Sequence, residues 1–324
     1  MRALYLAEGQ LTLHNDYRRP EPGPDEALIR VALAGICSTD LELVKGYAGG
    51  FRGVLGHEFV GVVEAVGPAE AARWVGRRVV GGINLGCRRC AVCLGEGPEH
   101  CPNRTTLGIH NKDGVFADYV TLPVVNLLAV PDGVADEEAV FTEPLAAALR
   151  IREQIAVRPA ARAAVVGPGR LGLLVAQVLA LAGTDVTVLG RRAESLELPY
   201  QLGLATGLVE KAPDDSFDLV VEATGNDAGL AHSLRLARPR GTLVLKSTFA
   251  GKAHVDLTKL VVSEIAVVGS RCGPFAPALR LLERGMVQVR PLIEAEYALA
   301  DGLAAFEHAA RPGVRKVLLR PNSS

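Results

Sequence analysis

The chain has 324 residues, 49% hydrophobic and 22% charged, with a formal net charge of −1. That length accommodates two domains at about 150 residues each, and the near-neutral charge argues against a polyanion-binding surface, so no nucleic-acid partner is expected. The N-terminus, MRALYLAEGQ, lacks the apolar core and cleavage site of a secretory signal, and the longest apolar stretch, Leu171 to Thr184, is broken by Gln177 and too short to span a bilayer; a cytoplasmic protein without a membrane partner is expected.

The first 150 residues or so are rich in short β segments, such as EALIRVALAGIC, EFVGVVEAVG and FADYVTLP, broken by Gly and Pro. This pattern predicts an all-β domain of barrel type. Two stretches in it stand out, GICSTDLE (35–42) and LGHEFVG (55–61). Cys37 follows a strand and His57 precedes one, which allows both to converge at one end of the barrel; ordinary packing is the alternative for each. Thr39 and Asp40 are placed to cap a helix beginning near Leu41.

Residues 87–101, CRRCAVCLGEGPEHC, hold four of the six cysteines in the spacing C-x2-C-x2-C-x7-C. Four thiolates in a tetrahedron make a closed structural zinc site, and C-x2-C hooks set neighbouring sulfurs at the required separation. Gly86, Gly95, Gly97 and Pro98 provide the tight turns. In a reducing compartment such a cluster reads as a metal site rather than a disulfide framework. Iron–sulfur proteins share C-x2-C-x2-C and a final Cys-Pro, here Cys101-Pro102, but place three residues before the last cysteine where this chain has seven. His100 reads as a solvated loop residue.

Residues 163–174, AAVVGPGRLGLL, run an apolar strand into Gly167-x-Gly169-x-x-Gly172, and a helix continues to about Ala182. A second strand, DVTVLG, begins at Asp185. In that context the glycines form a dinucleotide fingerprint: they allow a tight turn and close approach of a pyrophosphate, which sits on the amides of the helix N-terminus. FDLVVEATG (217–225), AGLAHSLRLA (228–237), GTLVLKS (241–247) and EIAVVGS (264–270) continue the alternation and predict a doubly wound parallel sheet. The second strand ends in Gly190-Arg191-Arg192. No carboxylate stands there to repel a 2′-phosphate, the glycine leaves room, and two guanidiniums can take the phosphate oxygens, so NADP is expected over NAD. A basic surface loop, with Glu194 as a later carboxylate, is the alternative.

This order of parts resembles the zinc-dependent medium-chain dehydrogenase/reductase family, which combines a GroES-like β domain carrying G-x-C-x-[ST]-D and G-H-E, a four-cysteine lobe, a Rossmann domain and a C-terminal return. The resemblance covers nearly the whole chain, including GSRCGPFAPALRLLERG (269–285) and RKVLLRP (315–321). TEPLAAAL (142–149) is similar to the polyol, threonine and glucose dehydrogenase branch, in which a Glu before a Pro replaces a third-ligand cysteine. Glu143 lies 24 residues before Gly167, as that branch implies. Pro144 suits the first turn of a helix and leaves Glu143 at its mouth, where the helix dipole alone also favours a carboxylate.

The resemblance implies a catalytic domain over 1–147, with the zinc lobe at 86–102 and completion by 287–324, and a Rossmann domain over 148–286. It implies two zinc ions per chain. Cys37, His57 and Glu143 would hold the catalytic one, with a fourth position for water or substrate, and Glu58 would ligate or sit directly behind, so that Glu58 or Glu143 gives way when substrate enters. Thr39 would pass the substrate proton and Asp40 would orient His57, while Glu42 stands where many relatives carry a relay histidine. The segment from Gly46 to Gly56 is trimmed where substrate-facing residues usually lie; His110 reads as an exposed loop residue and Cys272 as a buried or interface thiol.

The cofactor contacts expected are Gly167, Pro168, Gly169, Arg170, Leu171, Gly172, Gly190, Arg191 and Arg192, with Thr224, Gly225, Lys246 and Lys316. The family's active site lies in the cleft between its domains, and its members are dimers or tetramers joined through late Rossmann strands, for which VVSEIAVVGS is apolar enough. The expected reaction is hydride transfer between a small secondary alcohol, polyol or sugar and NADP. Two alternatives stay open: a zinc-independent alkene or quinone reductase on the same fold, and a non-catalytic NADPH-binding protein with structural zinc only.

Overall fold

The computed structural model describes residues 1–46, 50–248 and 253–321. It divides into two compact units: Met1–Glu143 with Phe275–Arg284 and Leu292–Ser324, and Pro144–Pro274 with Gly285–Pro291. The first unit opens with β1 (Ala3–Ala7), β2 (Gln10–His14), β3 (Glu26–Gly35), α1 (Ser38–Val44), β4 (Gly53–Val54), β5 (Glu58–Val66) and β6 (Arg78–Gly81). It continues through β7 (Asn84–Leu85), α2 (Ala91–Gly95), β8 (Thr105–Thr106), β9 (Tyr119–Pro123), β10 (Leu127–Ala129) and α3 (Asp136–Ala139), and α4 (Thr142–Gln154) carries the chain into the second unit.

β3 organises the first unit. It pairs antiparallel with β5 along its length and, on its other edge, with β9 from Glu26 to Arg30 and with a late strand at Ala34 and Gly35. A strand covered on both edges and faces reads as a nearly continuous apolar run, and Ala27, Leu28, Ile29, Val31, Leu33 and Ala34 are all buried. Antiparallel pairing of β7 with β8 (Asn84↔Thr106, Leu85↔Thr105) closes the base of an excursion that carries the four cysteines. Lys112, on the loop before β9, donates to Glu26 Oε1 at 2.7 Å and to Thr121 Oγ1 at 3.0 Å. Burial raises the Glu26 pKa, but the Lys112 ammonium outweighs it and holds the carboxyl below its ordinary 4.5. A depressed carboxylate stabilises the fold above its unfolded value, and that contribution disappears as pH falls through the folded value. Glu26→Gln is therefore expected to lower stability by about 1 kcal/mol at pH 7 and to flatten the acid limb, the two proteins converging in denaturant titrations as pH falls through the folded value of Glu26.

The second unit is a six-stranded parallel sheet in the order β13-β12-β11-β14-β15-β16. Its elements are β11 (Arg162–Val166), α5 (Arg170–Ala180), β12 (Asp185–Gly190), α6 (Glu197–Gln201), β13 (Ala205–Leu208), β14 (Phe217–Glu222), α7 (Asp227–Leu236), β15 (Ala237–Leu245), α8 (Leu257–Val262) and β16 (Ala266–Gly269). The chain winds one way from β11 and then reverses to β14, and the crevice at such a reversal, beyond the carboxyl ends of the strands, is where ligands bind in doubly wound sheets.

The remaining elements are α9 (Phe275–Glu283), β17 (Ile293–Ala298), α10 (Gly302–Ala309) and β18 (Lys316–Arg320). β17 pairs parallel with β18, and β18 antiparallel with β3 through Leu318↔Gly35 and Leu319↔Ala34. The sequence reading carries the dinucleotide unit on to residue 286, whereas α9 groups with the first unit, packing against α3. Among the described residues no helix is long and apolar enough to cross a membrane.

Candidate metal centre and dinucleotide site

Strand register brings the first group of predicted residues together. Gly35 pairs with Glu58, so the chain leaving β3 toward Cys37 runs beside the chain entering β5 from His57. Cys37 caps α1 with extended backbone (φ −94°, ψ 159°), and its N–H donates to Asp40 Oδ2 at 2.8 Å. The other Asp40 oxygen lies 3.3 Å from His57 Nδ1. One buried carboxylate thus ties both residues, and Nε2 is the imidazole nitrogen left to a cation. Ligand atoms of Cys37, His57 and Glu58 all lie within 4.8 Å of one another. Thr39 belongs to the same turn, its hydroxyl 3.8 Å from the Cys37 sulfur.

The donor set fits a divalent cation. Glu58 Oε1 is buried without a hydrogen-bond partner, beside a thiol and an imidazole, an arrangement costly unless a cation completes it. With Cys37 as thiolate, it and buried Asp40 and Glu58 carry three negative charges against one positive charge on buried Lys316; a dication brings the cluster to neutrality. Without a cation, burial works against protonation of His57 but the Asp40 carboxylate and Cys37 prevail and raise its pKa well above the ordinary value; a cation competes with that proton, because only the neutral imidazole is a ligand. A zinc ion bound here supplies Lewis-acid polarisation of an alcohol or carbonyl oxygen.

Lys316, expected among the cofactor contacts, stands at the start of β18, its ammonium donating to Glu58 Oε2 and, at 3.4 Å, to the Ile36 carbonyl. The carboxylate fits there because residue 35 is glycine: a Cβ at Gly35 would meet Glu58 Oε2 at 2.5 Å. Nothing in the sequence links Lys316 to Glu58, which are 258 positions apart. Glu143 is the second residue of α4, half-buried, and outside the three-residue cluster. Glu42 accepts from Lys45 at 2.8 Å on the exposed side of α1. His110 is exposed, with Asn111 Nδ2 3.2 Å from its Nε2. Of the trimmed segment 46–56, residues 47–49 lie outside the described residues.

The four lobe sulfurs also lie within 4.8 Å of one another, Cys90 Sγ and Cys101 Sγ being 3.8 Å apart. A disulfide needs about 2.05 Å, whereas tetrahedral Zn–S bonds of about 2.3 Å set sulfurs about 3.8 Å apart. No disulfide joins any of the four lobe cysteines. Backbone N–H groups aim at the sulfurs, Cys87 N at Cys101 Sγ (3.4 Å) and Cys93 N at Cys90 Sγ (3.5 Å). Backbone donors from Arg89 and Cys90 bring the Cys87 pKa down to about 6, and the Cys87 N–H lowers that of Cys101, whereas burial pushes Cys93 up to about 12, so four thiolates side by side require a cation. His100 is exposed and outside the cluster.

In the second unit the fingerprint glycines have separate reasons. Gly167 has φ +110°, and a Cβ on it would meet the Ala223 carbonyl oxygen at 2.8 Å. Gly172 packs on the Gly167 carbonyl. A Cβ at Gly169, the N-cap of α5, would meet nothing within 4 Å, so the protein itself does not demand a glycine there, and a pyrophosphate approaching the α5 amides does. Pro168, Arg170 and Leu171 complete this loop and the first turn of α5. Gly190 ends β12, and the space beside it is taken by Ser195 Oγ, 2.7 Å from where a Cβ would stand, and by Leu196 and Pro168. A side chain at position 190 would therefore collide with the protein's own turn, which gives the glycine a packing reason. That turn brings up the Ser195 hydroxyl, which sequence reasoning missed because nothing local marks one serine after the strand. Arg191 and Arg192 are exposed, and no ion pair is seen for either among the described residues. Thr224 and Gly225 form the turn after β14. Lys246 is buried and donates to Ser270 Oγ (3.1 Å) and the Arg271 carbonyl (2.7 Å).

A Cys-His-carboxylate cluster, its histidine and acid buried and its cysteine half-buried, together with a dinucleotide fingerprint and a separate four-cysteine lobe, defines a metal-assisted, nicotinamide-linked oxidoreductase. Residues 23–132 match the alcohol dehydrogenase GroES-like domain, and residues 171–284 the zinc-binding dehydrogenase domain. The chain is similar to a sorbitol dehydrogenase of Halalkalibacterium halodurans, 30% identical with 93% of each chain covered. It is also similar to an L-galactonate-5-dehydrogenase of Escherichia coli, 29% identical with 89% of each covered. A zinc-binding dehydrogenase of Sinorhizobium meliloti, solved bound to NADP, superimposes with a TM-score of 0.90 at 30% identity over 99% of each chain. The chain belongs to the zinc-dependent medium-chain alcohol and polyol dehydrogenases, with a GroES-like β domain and a Rossmann domain.

Proposed function

We propose that the protein oxidises a secondary alcohol, polyol or sugar, and reduces the matching ketone or lactone, with NADP(H) as the preferred hydride carrier. The convergence of Cys37, His57 and Glu58 around Asp40 carries this reading. Cys37, His57 and a carboxylate hold the catalytic zinc. Glu58 is favoured by its place in the cluster and Glu143 by its place at the mouth of α4, and one of them gives way to substrate. Thr39 takes the alcohol proton, Asp40 orients His57, and Cys87, Cys90, Cys93 and Cys101 hold the structural zinc. The sorbitol and galactonate dehydrogenases among its relatives support the polyhydroxylated substrate class.

Preference for NADP rests on Arg191 and Arg192, exposed at the end of β12, with the Ser195 hydroxyl beside them, and on the NADP-bound relative. Arg191→Ala with Arg192→Ala is expected to raise the KM for NADP about a hundredfold, at about 1.5 kcal/mol for each charged hydrogen bond lost, and to leave the KM for NAD unchanged. A coupled screen of polyols, aldoses, amino alcohols and simple alcohols with both cofactors is the measurement. No turnover with any alcohol would refute the function, and an unaltered NADP/NAD ratio in the double variant would refute the cofactor assignment.

The four lobe thiols, gathered without a disulfide between them, suit a reducing cytoplasm. A homodimer or homotetramer is supported by β16, the outermost strand of its sheet, and by neighbouring α8, on which Val261 and Val262 are 75% and 77% exposed. An open strand edge with apolar surroundings invites pairing with a second copy.

A further inference from the structure

The turn after β14 holds a buried carboxylate with no part in the chemistry above. Glu222 is the last residue of β14 and only 1% exposed. Its Oε1 accepts three hydrogen bonds: from the Thr224 N–H (2.6 Å), the Thr224 hydroxyl (2.6 Å) and the Gly225 N–H (3.1 Å). Two successive amides converging on one point form an anion-binding nest of the kind that cradles phosphates. Here the occupant is the protein's own side chain.

The turn fixed in this way is a wall of the dinucleotide crevice. The Ala223 N–H donates to the Val166 carbonyl at 2.9 Å, joining the turn to the last residue of β11. A Cβ on Gly167 would meet the Ala223 oxygen at 2.8 Å and Thr224 Cγ2 at 3.0 Å, and one on Gly172 would stand 3.5 Å from the Ala223 Cβ. Thr224 also packs on Gly229, whose N–H donates to Asn226 Oδ1 at 3.0 Å at the start of α7. The first and third fingerprint glycines therefore lean on residues 223 and 224, and the shape of their loop depends on where that turn is held.

We propose that Glu222 is a positioning residue for the dinucleotide. By filling the Thr224–Gly225 nest, its carboxylate fixes the turn against Gly167 and Gly172 and leaves the amides at the start of α5 as the site for the diphosphate. Glu222 acts through Ala223 and Thr224 and touches no reacting atom. The proposal rests on the dinucleotide reading of the glycine loop.

NADPH fluorescence titrations of the zinc-loaded full chain test it, with steady-state kinetics alongside. Glu222→Gln keeps an acceptor oxygen but loses the charge, and is expected to weaken NADPH binding about fivefold; Glu222→Ala loses both, for about thirtyfold. The KM for the cofactor rises in proportion, while kcat at saturating cofactor, the KM for the alcohol and the zinc content hold steady. Glu222→Asp, with the charge on a shorter arm, falls between wild type and Ala. A residue that only stabilised the fold would lower Tm without this split. The proposal is overturned if folded Glu222→Ala binds NADPH within twofold of wild type, or if the alcohol KM climbs in step with that of the cofactor. Should the alanine variant not fold, the glutamine variant decides alone, and unchanged affinity there overturns the proposal equally. Wild-type protein that bound neither NADPH nor NADH would refute the dinucleotide reading itself, and the role of Glu222 with it.

Discussion

Cys37→Ser is expected to lose alcohol oxidation by about a thousandfold or more in kcat/KM, since Lewis-acid polarisation is worth several kcal/mol and each 1.36 kcal/mol is a factor of ten in rate. The hydroxyl is nearly isosteric with the thiol, but it is not ionised at neutral pH and is a poor zinc ligand. The Cys37 backbone stays anchored by Asp40 in the variant, because that hydrogen bond uses the main-chain N–H. The fold and NADPH binding should therefore survive. Metal analysis is expected to return two zinc ions per chain in the wild type and one in the variant, the remaining ion being that of the lobe. An undiminished rate with one zinc per chain would show that the chemistry runs without the Cys37 centre, as in an alkene or quinone reductase.

The second large effect belongs to stability. Cys101 is the one buried member of the lobe, and its sulfur takes the Cys87 N–H. Cys101→Ser removes a ligand from a closed tetrahedral site, and the binding energy of a structural metal is part of the folding energy. The expected cost is about 3 kcal/mol or more, a fall in Tm of about 4 °C or more for a protein of this size. One zinc is lost, this time from the lobe. Below the new transition kcat should stay within about twofold of wild type, because the lobe excursion leaves the barrel between β7 and β8 and supplies none of the residues of the Cys37 cluster. Thermal denaturation with and without a chelator, alongside the metal count, gives the answer; loss of the Cys37-site zinc in this variant would show that the two centres are not independent.

Local patterns were readable where the chemistry is local. The cysteine spacing announces a metal lobe because four ligands to one ion must come from a short loop, and the sulfurs do gather. The glycine fingerprint is legible because each glycine meets a backbone constraint within a few residues, as Gly167 does with φ +110°. The candidate catalytic cluster was half legible. Cys37 and His57 flank strands whose pairing the sequence suggests, but whether they meet depends on the register Gly35↔Glu58, in which a slip of one residue would turn His57 to the other face. Both carboxylates, Glu58 and Glu143, came forward by resemblance, and Glu58 is the one grouped with Cys37 and His57. The contact of Lys316 with Glu58 had no local signal, nor did the packing of Ser195 and Leu196 beside Gly190.

Alone, then, the order of amino acids determined a β domain followed by a doubly wound sheet, a four-thiol lobe, a dinucleotide loop and the residue types of a metal centre. These follow from periodicity and short-range spacing, which survive in one dimension. Tertiary structure decided that Glu58 stands beside Cys37 and His57 with Lys316 on its carboxylate, and how Glu222 occupies the turn against the glycines. Those pairings depend on strand register and on side chains meeting across hundreds of positions, and the cost of burying a charge without its partner selects among them.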